Sequence, residues 1–453
     1  MLIRSISGLR GTVGIDNDGL SAEVVSRYAL AFAELLGNRG AVALGYDGRV
    51  GGRVFYDLAL AVLRTSGCDV LALGMVPTPT VQMAAEHIEG VVGGIVITAS
   101  HNPGEWNGMK FIASTGLFLD AEENQKLWSI VDCDVRNTAA QQSFGSIREG
   151  ESTVRAHIDA VLSNKYVDRA SIAKRKFRVV LDAVNASGSR VHPELLRALG
   201  VAEVIEIACD GSGIFPHRPE PIPANLTSLS KAVLEHKADM GIAVDPDADR
   251  LVLMMENGEP FIEENTIVLA CEQVLKHEKP GATVVVNLST TRAVDDVAKR
   301  YSAKVIRTPV GEINVSKRMK ELGAVIGGEG SGGVILPSVH LGRDSLVGVA
   351  LALSALASFN GSISEKKKSM PQYTILKSRI DLTSIAQVGE LLARLEKIFS
   401  NEAKSINRED GIRFDFERYW LHARASNTEP IIRLIAEAPT PEEAQLLIDR
   451  AFN

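Results

Sequence analysis

Two short stretches carry most of the chemistry in this chain. Residues 98–103 read TASHNP, which sets Ser100 beside His101 and Asn102, and Lys110 follows shortly after. Residues 245–250 read DPDADR, with carboxylates at alternate positions and Arg250 behind them. A serine among turn-forming neighbours is presented as a nucleophile or phosphate carrier, with backbone N–H groups to hold the anion. Alternate side chains of an extended backbone share one face, so Asp245, Asp247 and Asp249 can point the same way. Charges that close repel unless a cation lies between them. An all-oxygen shell suits Mg2+, which shares its coordination with phosphate oxygens. A seryl nucleophile plus a hard-cation site points to metal-assisted phosphoryl transfer, with His101 and Lys110 available for proton transfer and charge stabilisation.

Rival readings fit less well. An EF-hand would take the three aspartates and Glu256 as ligands, but Arg250 stands where its sharp turn needs glycine, and LVLMM (251–255) is strand-like. A Ser-His hydrolase wants a GxSxG elbow, and the nearest match has Glu329 in place of the first glycine. Taken singly, each motif also reads as an ordinary polar turn.

Two further loops add recognition chemistry. GGEGSGG (327–333) allows close backbone approach and presents Glu329 and Ser331, suited to sugar hydroxyls. Arg424, Ser426, Asn427 and Thr428, with Arg433 beyond them, combine guanidinium, hydroxyl and N–H donors that can cradle a phosphate dianion. Arg10 lies in the glycine-rich GLRGTVG (8–14), which says little by itself.

These loops need elements to hold them. Short β-rich runs alternate with amphipathic helical stretches over the first two-thirds, the pattern of α/β layers. Strands are expected at 41–47, 69–74, 91–100, 177–185, 201–207, 239–250, 283–289, 304–311 and 324–333, with a helix over 54–63. SFGSIREGES (143–152) reads as a boundary and SFNGSISEKKKSMPQY (358–373) as an inter-domain linker. The last eighty or so residues suggest a strand, a helix near 385–398, two strands and a final helix, a small α+β domain. The expected division is 1–150, 151–256, 257–365 and 370–453. Polar clusters at 98–103, 245–250, 308–311 and 328–333 each follow a β run, and in α/β sheets such loops form the ligand crevice.

Bulk properties bound the answer. At 453 residues the chain is too long for one core. Its net charge of −7 argues against a nucleic-acid or anionic-membrane binder. Four scattered cysteines without CxxC spacing fit a reducing cytoplasm. The N-terminus has no secretory h-region, and the near-apolar run at 346–357 is too short to span a bilayer.

Together the four motifs TASHNP, DPDADR, GEGSGG and RASNTEP, in this order, resemble the α-D-phosphohexomutase superfamily over essentially the whole chain. The resemblance implies three similar α/β/α domains plus a smaller C-terminal α+β domain around a central cleft. It makes Ser100 a phosphoserine and gives one Mg2+ to Ser100, Asp245, Asp247 and Asp249. Arg10, His101, Lys110 and Arg250 would lie near the transferring group. Thr308, Gly311, Glu329 and Ser331 would read the sugar, and Arg424, Ser426, Asn427, Thr428 and Arg433 would hold the other phosphate. The implied reaction interconverts hexose 6-phosphate and hexose 1-phosphate through a bound bisphosphate, with a hexose bisphosphate as activator, in a monomer or homodimer. The chain departs from common family patterns at Pro246, Asn427, Pro309 and Gly333; the last two fall in sugar-reading loops. GEGSGG and TPVG look most like phosphoglucosamine mutases, with phosphomannomutase/phosphoglucomutase as the alternative. A sugar-phosphate-binding regulator without catalysis would be expected to have lost Ser100, Lys110 and the aspartates. A simple phosphatase would not need the loop around Arg424.

Overall fold

The computed structural model describes residues 1–14, 18–133, 139–382, 387–425 and 431–452. Among them run four separate β-sheets. In the first, Ala41–Tyr46, Asp69–Met75 and Val91–Ile97 lie parallel at the centre, and Trp106–Ala113 and Gly8–Thr12 extend one side antiparallel. The central strands read as continuous apolar runs because both faces are covered by helices. Tyr28, Phe32, Leu44, Leu63 and Ile95, all essentially inaccessible, fill the layers between them. Each such side chain contributes roughly 1.5–3 kcal/mol by leaving water.

The second sheet orders Leu251–Met255, Met240–Val244, Arg178–Asp182 and Glu203–Ile207, and the third orders Lys304–Thr308, Thr283–Asn287, Ile326–Glu329, Gly333–Leu336 and His340–Arg343. Both mix parallel central pairs with antiparallel additions. The fourth is wholly antiparallel and is covered by helices Gln387–Phe399 and Pro441–Phe452. The architecture is three α/β/α layers and a smaller α+β unit.

Two stretches differ from the sequence reading. Within 143–152 the chain forms the strand Ile147–Glu149, which pairs parallel with Asp69–Met75. Within 358–373 lies the helix Ile363–Ser369, opened by a capping box between Ser362 and Glu365. Its Lys366 pairs with Glu272 at 2.8 Å and its Lys367 donates to the Pro260 carbonyl at 3.1 Å. The serines and lysines that suggested a linker are a helix cap and a docked helix face.

The near-apolar run at 346–357 is the buried helix Ser345–Ser358, capped by Asp344. Among the described residues no single helix is long and apolar enough to cross a membrane. At the foot of this helix His157 and His340 both approach Asp344 Oδ2, at 2.8 and 3.2 Å. The Gly342 N–H donates to His340 Nδ1, so Nε2 holds the proton it gives to Asp344. A metal would need that nitrogen's lone pair. The cluster is a proton-satisfied joint, tied by Thr80 Oγ1 at 3.0 Å from His157 Nδ1 to the first sheet's helices.

Candidate active site

Ser100 sits past the carboxyl end of Val91–Ile97 in left-handed backbone, φ +50°, a conformation costly for a residue with a Cβ. The surroundings enforce it. Thr98 Oγ1 accepts the Ser100 N–H at 2.8 Å, and Arg49 Nη2 donates to the Ser100 carbonyl at 2.5 Å. Arg49 is itself fixed by Asp47, which also accepts from Thr98. Asp47 and Arg49 were missed in the sequence, although YDGR follows a β run just as the recognised clusters do.

The aspartate loop joins Met240–Val244 to Leu251–Met255 and meets the serine across the cleft. Ser100 Oγ donates to Asp245 Oδ2 at 3.1 Å and lies 3.3 Å from His101 Nδ1. All three aspartates are fully buried, with one oxygen of each within 4.8 Å of the others. Lys110 Nζ reaches Asp247 Oδ2 at 2.6 Å and Asp249 Oδ2 at 3.0 Å, and Thr78 Oγ1 donates to Asp247 Oδ2 at 2.6 Å. The other oxygens, Asp247 Oδ1 and Asp249 Oδ1, are buried and accept no hydrogen bond among the described residues. Burial, with Asp249 and Asp247 alongside, raises the Asp245 carboxyl well above its usual range. Unpartnered carboxylate oxygens and a carboxyl that resists ionisation are what a divalent cation would resolve, so the residues fit Mg2+.

Positive charge lies close by. Arg10 donates to Asn102 Oδ1 at 3.0 Å, and the buried Nε atoms of Arg10 and Arg250 have no hydrogen-bond partner among the described residues. Arg250, burial and Arg10 depress His101 to about 2, which leaves a neutral imidazole beside the serine. Burial alone would lower Lys110, but Asp247 and Asp249 outweigh it and keep the ammonium charged.

A cavity of about 450 Å3 opens onto this cluster and is lined by residues from the loops of all four sheets. Arg10, His101, Lys110 and Arg250 reach it, as do Gly311, Glu329 and Ser331, and so do Arg424 and Arg433. Thr308 does not line it: its hydroxyl donates to the Pro309 carbonyl at 3.1 Å, and Val310 and Gly311 face the cavity instead. Ser426, Asn427 and Thr428 lie outside the described residues.

Arg343 was not found from sequence and is the hub of the site. Its guanidinium meets Asp249 Oδ2 at 2.6 Å, Glu329 Oε2 at 2.6 Å and Glu312 Oε2 at 3.0 Å, which ties the aspartate loop to the Glu329 loop. A Cβ on Gly333 would stand 2.2 Å from Arg343 Cδ. The glycine makes room for this arginine.

The comparisons agree with the geometry. The phosphoglucomutase/phosphomannomutase models match in series: alpha/beta/alpha domain I over residues 2–136, domain II over 155–258, domain III over 263–373 and the C-terminal domain over 379–453. A phosphoglucomutase/phosphomannomutase of Thermococcus kodakarensis is 35% identical over 97% of this chain and 95% of its own length. A probable phosphoglucosamine mutase of Methanopyrus kandleri is 34% identical over 98% and 95%. The crystal structure of a phosphoglucomutase/phosphomannomutase family protein from Burkholderia thailandensis superimposes with a TM-score of 0.86 at 27% identity, covering 99% of this chain and 96% of that one. Fold and site define an intramolecular phosphotransferase acting on hexose phosphates. The chain belongs to the phosphoglucomutase/phosphomannomutase family, within the α-D-phosphohexomutases.

Proposed function

We propose that this phosphohexomutase works through Ser100 and that its preferred substrates are the glucosamine phosphates. Ser100 Oγ carries the phosphoryl group and gives it to the free hydroxyl of a hexose monophosphate, forming a bisphosphate. The P–O bond to serine breaks as the P–O bond to sugar forms, and the sugar hydroxyl's proton ends on Ser100 Oγ. The bisphosphate turns end for end, and its other phosphoryl group returns to Ser100 Oγ, which leaves the isomeric monophosphate. A hexose bisphosphate would load an unphosphorylated serine.

The observation that carries this reading is the buried contact of Ser100 with Asp245 behind His101, Lys110 and Arg250, which line one cavity together with Arg424 and Arg433. Asp245, Asp247, Asp249 and a phosphoserine oxygen would hold Mg2+, which neutralises charge on the transferring group when bound. Lys110 aims Asp247 and Asp249, and Arg343 and Lys110 together hold Asp249 in its charged form. Arg10 and Arg250 offer buried N–H groups to the phosphoryl oxygens. His101 stays neutral 3.3 Å from Ser100 Oγ, and the cations and burial that hold it down to about 2 make it a hydrogen-bonding neighbour of the phosphoryl oxygens rather than a base. Arg424 and Arg433 hold the phosphate that is not reacting, while Glu329, Ser331 and Gly311 meet the sugar.

For the sugar, the cavity carboxylates matter. Arg343 occupies Glu312 and Glu329, and Glu220 and Glu264, which share the charge of Lys377 in the same cavity, are the carboxylates that would face an ammonium group at carbon 2. Burial lifts Glu264 to about 7, so a cationic substrate would draw it into the charged form. Several relatives bear the name probable phosphoglucosamine mutase. The four free cysteines accord with a cytoplasmic location. The test is a panel of glucosamine, glucose, mannose and N-acetylglucosamine phosphates, assayed with Mg2+ and a bisphosphate primer in the wild type and in Ser100→Ala. Glucosamine phosphate is expected to give the highest kcat/KM, and Ser100→Ala to abolish turnover of every sugar. Better turnover of glucose or mannose phosphate would reject the amino-sugar reading, and an active Ser100→Ala would reject the mechanism.

A further inference from the structure

The strand Trp420–Ala425 carries Arg424 and, two residues earlier, His422, whose imidazole is fully buried between two domains. His422 Nε2 lies 2.7 Å from the Asp410 carbonyl, and His422 Nδ1 lies 2.9 Å from Ser289 Oγ. A carbonyl only accepts, so Nε2 bears the proton. Burial holds this histidine down to about 4, so Nδ1 is bare and the Ser289 hydroxyl must donate to it.

Each end of this contact continues into one of the two recognition regions. Asp410 pairs its carboxylate with Arg424 at 3.0 Å and accepts the Val310 N–H at 3.0 Å. Ser289 N–H donates to Asn287 Oδ1 at 2.9 Å, and Asn287 Nδ2 donates to Glu329 Oε1 at 2.8 Å. Glu329 Oε1 also accepts the Gly311 N–H at 3.1 Å, and Gly311 follows Val310. The bonds close a ring through Glu329, Asn287, Ser289, His422, Asp410 and the 310–311 backbone. Arg424 hangs from one side of it and the Glu329 carboxylate faces the cavity from the other. Nothing in the local sequence of either domain announces this ring, because His422 is an isolated histidine in an apolar run.

We infer that His422 is a positioning residue that couples the phosphate arm at Arg424 to the sugar-reading carboxylate of Glu329. The inference rests on the reading that Arg424 holds the distal phosphate. Its consequence follows from how remote binding is used in catalysis. Binding at the non-reacting phosphate is spent on orienting the sugar hydroxyl towards Ser100, so loosening the link lowers kcat more than it raises KM.

The experiment is steady-state kinetics on Ser289→Ala, His422→Phe, their double variant and Ser289→Thr, with glucosamine 1-phosphate, glucose 1-phosphate and mannose 1-phosphate. Each single change is expected to lower kcat about tenfold with KM within about twofold. Ser289→Thr, which keeps the hydroxyl, is expected to recover most of the rate. Both bonds belong to one link, so the double variant falls no further than either single. Additive losses, an unchanged kcat, or losses confined to KM would overturn the inference. Arg424→Ala tests the underlying reading separately. If it leaves KM for all three sugars unchanged, the phosphate assignment itself fails. If it raises KM while Ser289→Ala and His422→Phe are silent, the coupling alone is wrong. Unchanged thermal midpoints identify variants whose kinetics report positioning; His422→Gln, which keeps an N–H donor, replaces His422→Phe if that variant unfolds.

Discussion

Replacing Arg343 by methionine gives the sharpest test of how this site is held together. The side chain is buried and its guanidinium serves three carboxylates, Asp249, Glu329 and Glu312. Removing one partner of a buried ion pair costs roughly 3–5 kcal/mol, since the remaining charge has no water to return to. Here the losses are unequal. Asp249 keeps Lys110 at 3.0 Å, whereas Glu329 keeps only Asn287 and the Gly311 N–H, and Glu312 keeps Gln82 at 3.1 Å. Because neutral donors remain, the lower end applies, about 3 kcal/mol. With a urea m-value of about 1–3 kcal/mol/M, the transition involving the third domain should shift down by about 1–3 M. The assay is urea unfolding of the full chain followed by far-ultraviolet circular dichroism, with Arg343→Met beside Arg343→Met/Glu312→Gln/Glu329→Gln. Taking both partners to neutral groups removes the stranded charges, so the triple variant should regain at least half the loss. A shift below about 0.3 M, or a triple variant no more stable than the single, would refute the claim that Arg343 balances those carboxylates.

Two further outcomes follow from the site and the core. His192 and His422 are both buried and held near 4 against an ordinary value of 6.5, mainly by desolvation. Between those values the unfolded chain binds more protons, so stability falls as pH drops from about 6.5 towards 4, by up to about 3 kcal/mol per histidine. Urea titrations at stepped pH should show a shallower slope in His192→Gln, and an identical slope would count against the burial argument. Glu329→Ala should change the preference among sugars by tenfold or more in kcat/KM ratio, whereas Arg424→Ala should weaken all hexose monophosphates alike. A reordering of sugars by Arg424→Ala would mean the two roles are misassigned.

The sequence displayed its chemistry where the chemistry is local. Asp245, Asp247 and Asp249 announce themselves by alternation, and Ser100 by its turn-forming neighbours. The layered architecture was legible because buried parallel strands leave unbroken apolar runs, and the C-terminal α+β unit because its pattern differs. What stayed hidden depends on contacts across long chain separations. Lys110 carries no mark of its bond to Asp247, and Arg343 meets Asp249 only because one sheet ends where another begins. Arg343 also needs the space left at Gly333, a fact about volume that letters do not reveal. The 358–373 stretch was misjudged as linker because a capping box and lysines that pair with Glu272 and Pro260 share their composition with flexible chain.

That docked helix bears on how the fourth domain can move. With Ile363–Ser369 anchored, the connection shrinks to Met370–Tyr373, itself held by the buried Met370 and by Tyr373 Oη on Asp296 at 2.7 Å, and it spans at most about 14 Å even when fully extended. So short a tether permits a swing and forbids a drift. The arginines at its far side stay within reach of the cleft at high effective concentration, so reclosing is a local, unimolecular event. On the mechanism proposed above, an intermediate that lets go of one end and re-seats the other would tumble beneath a cover that such a tether keeps near.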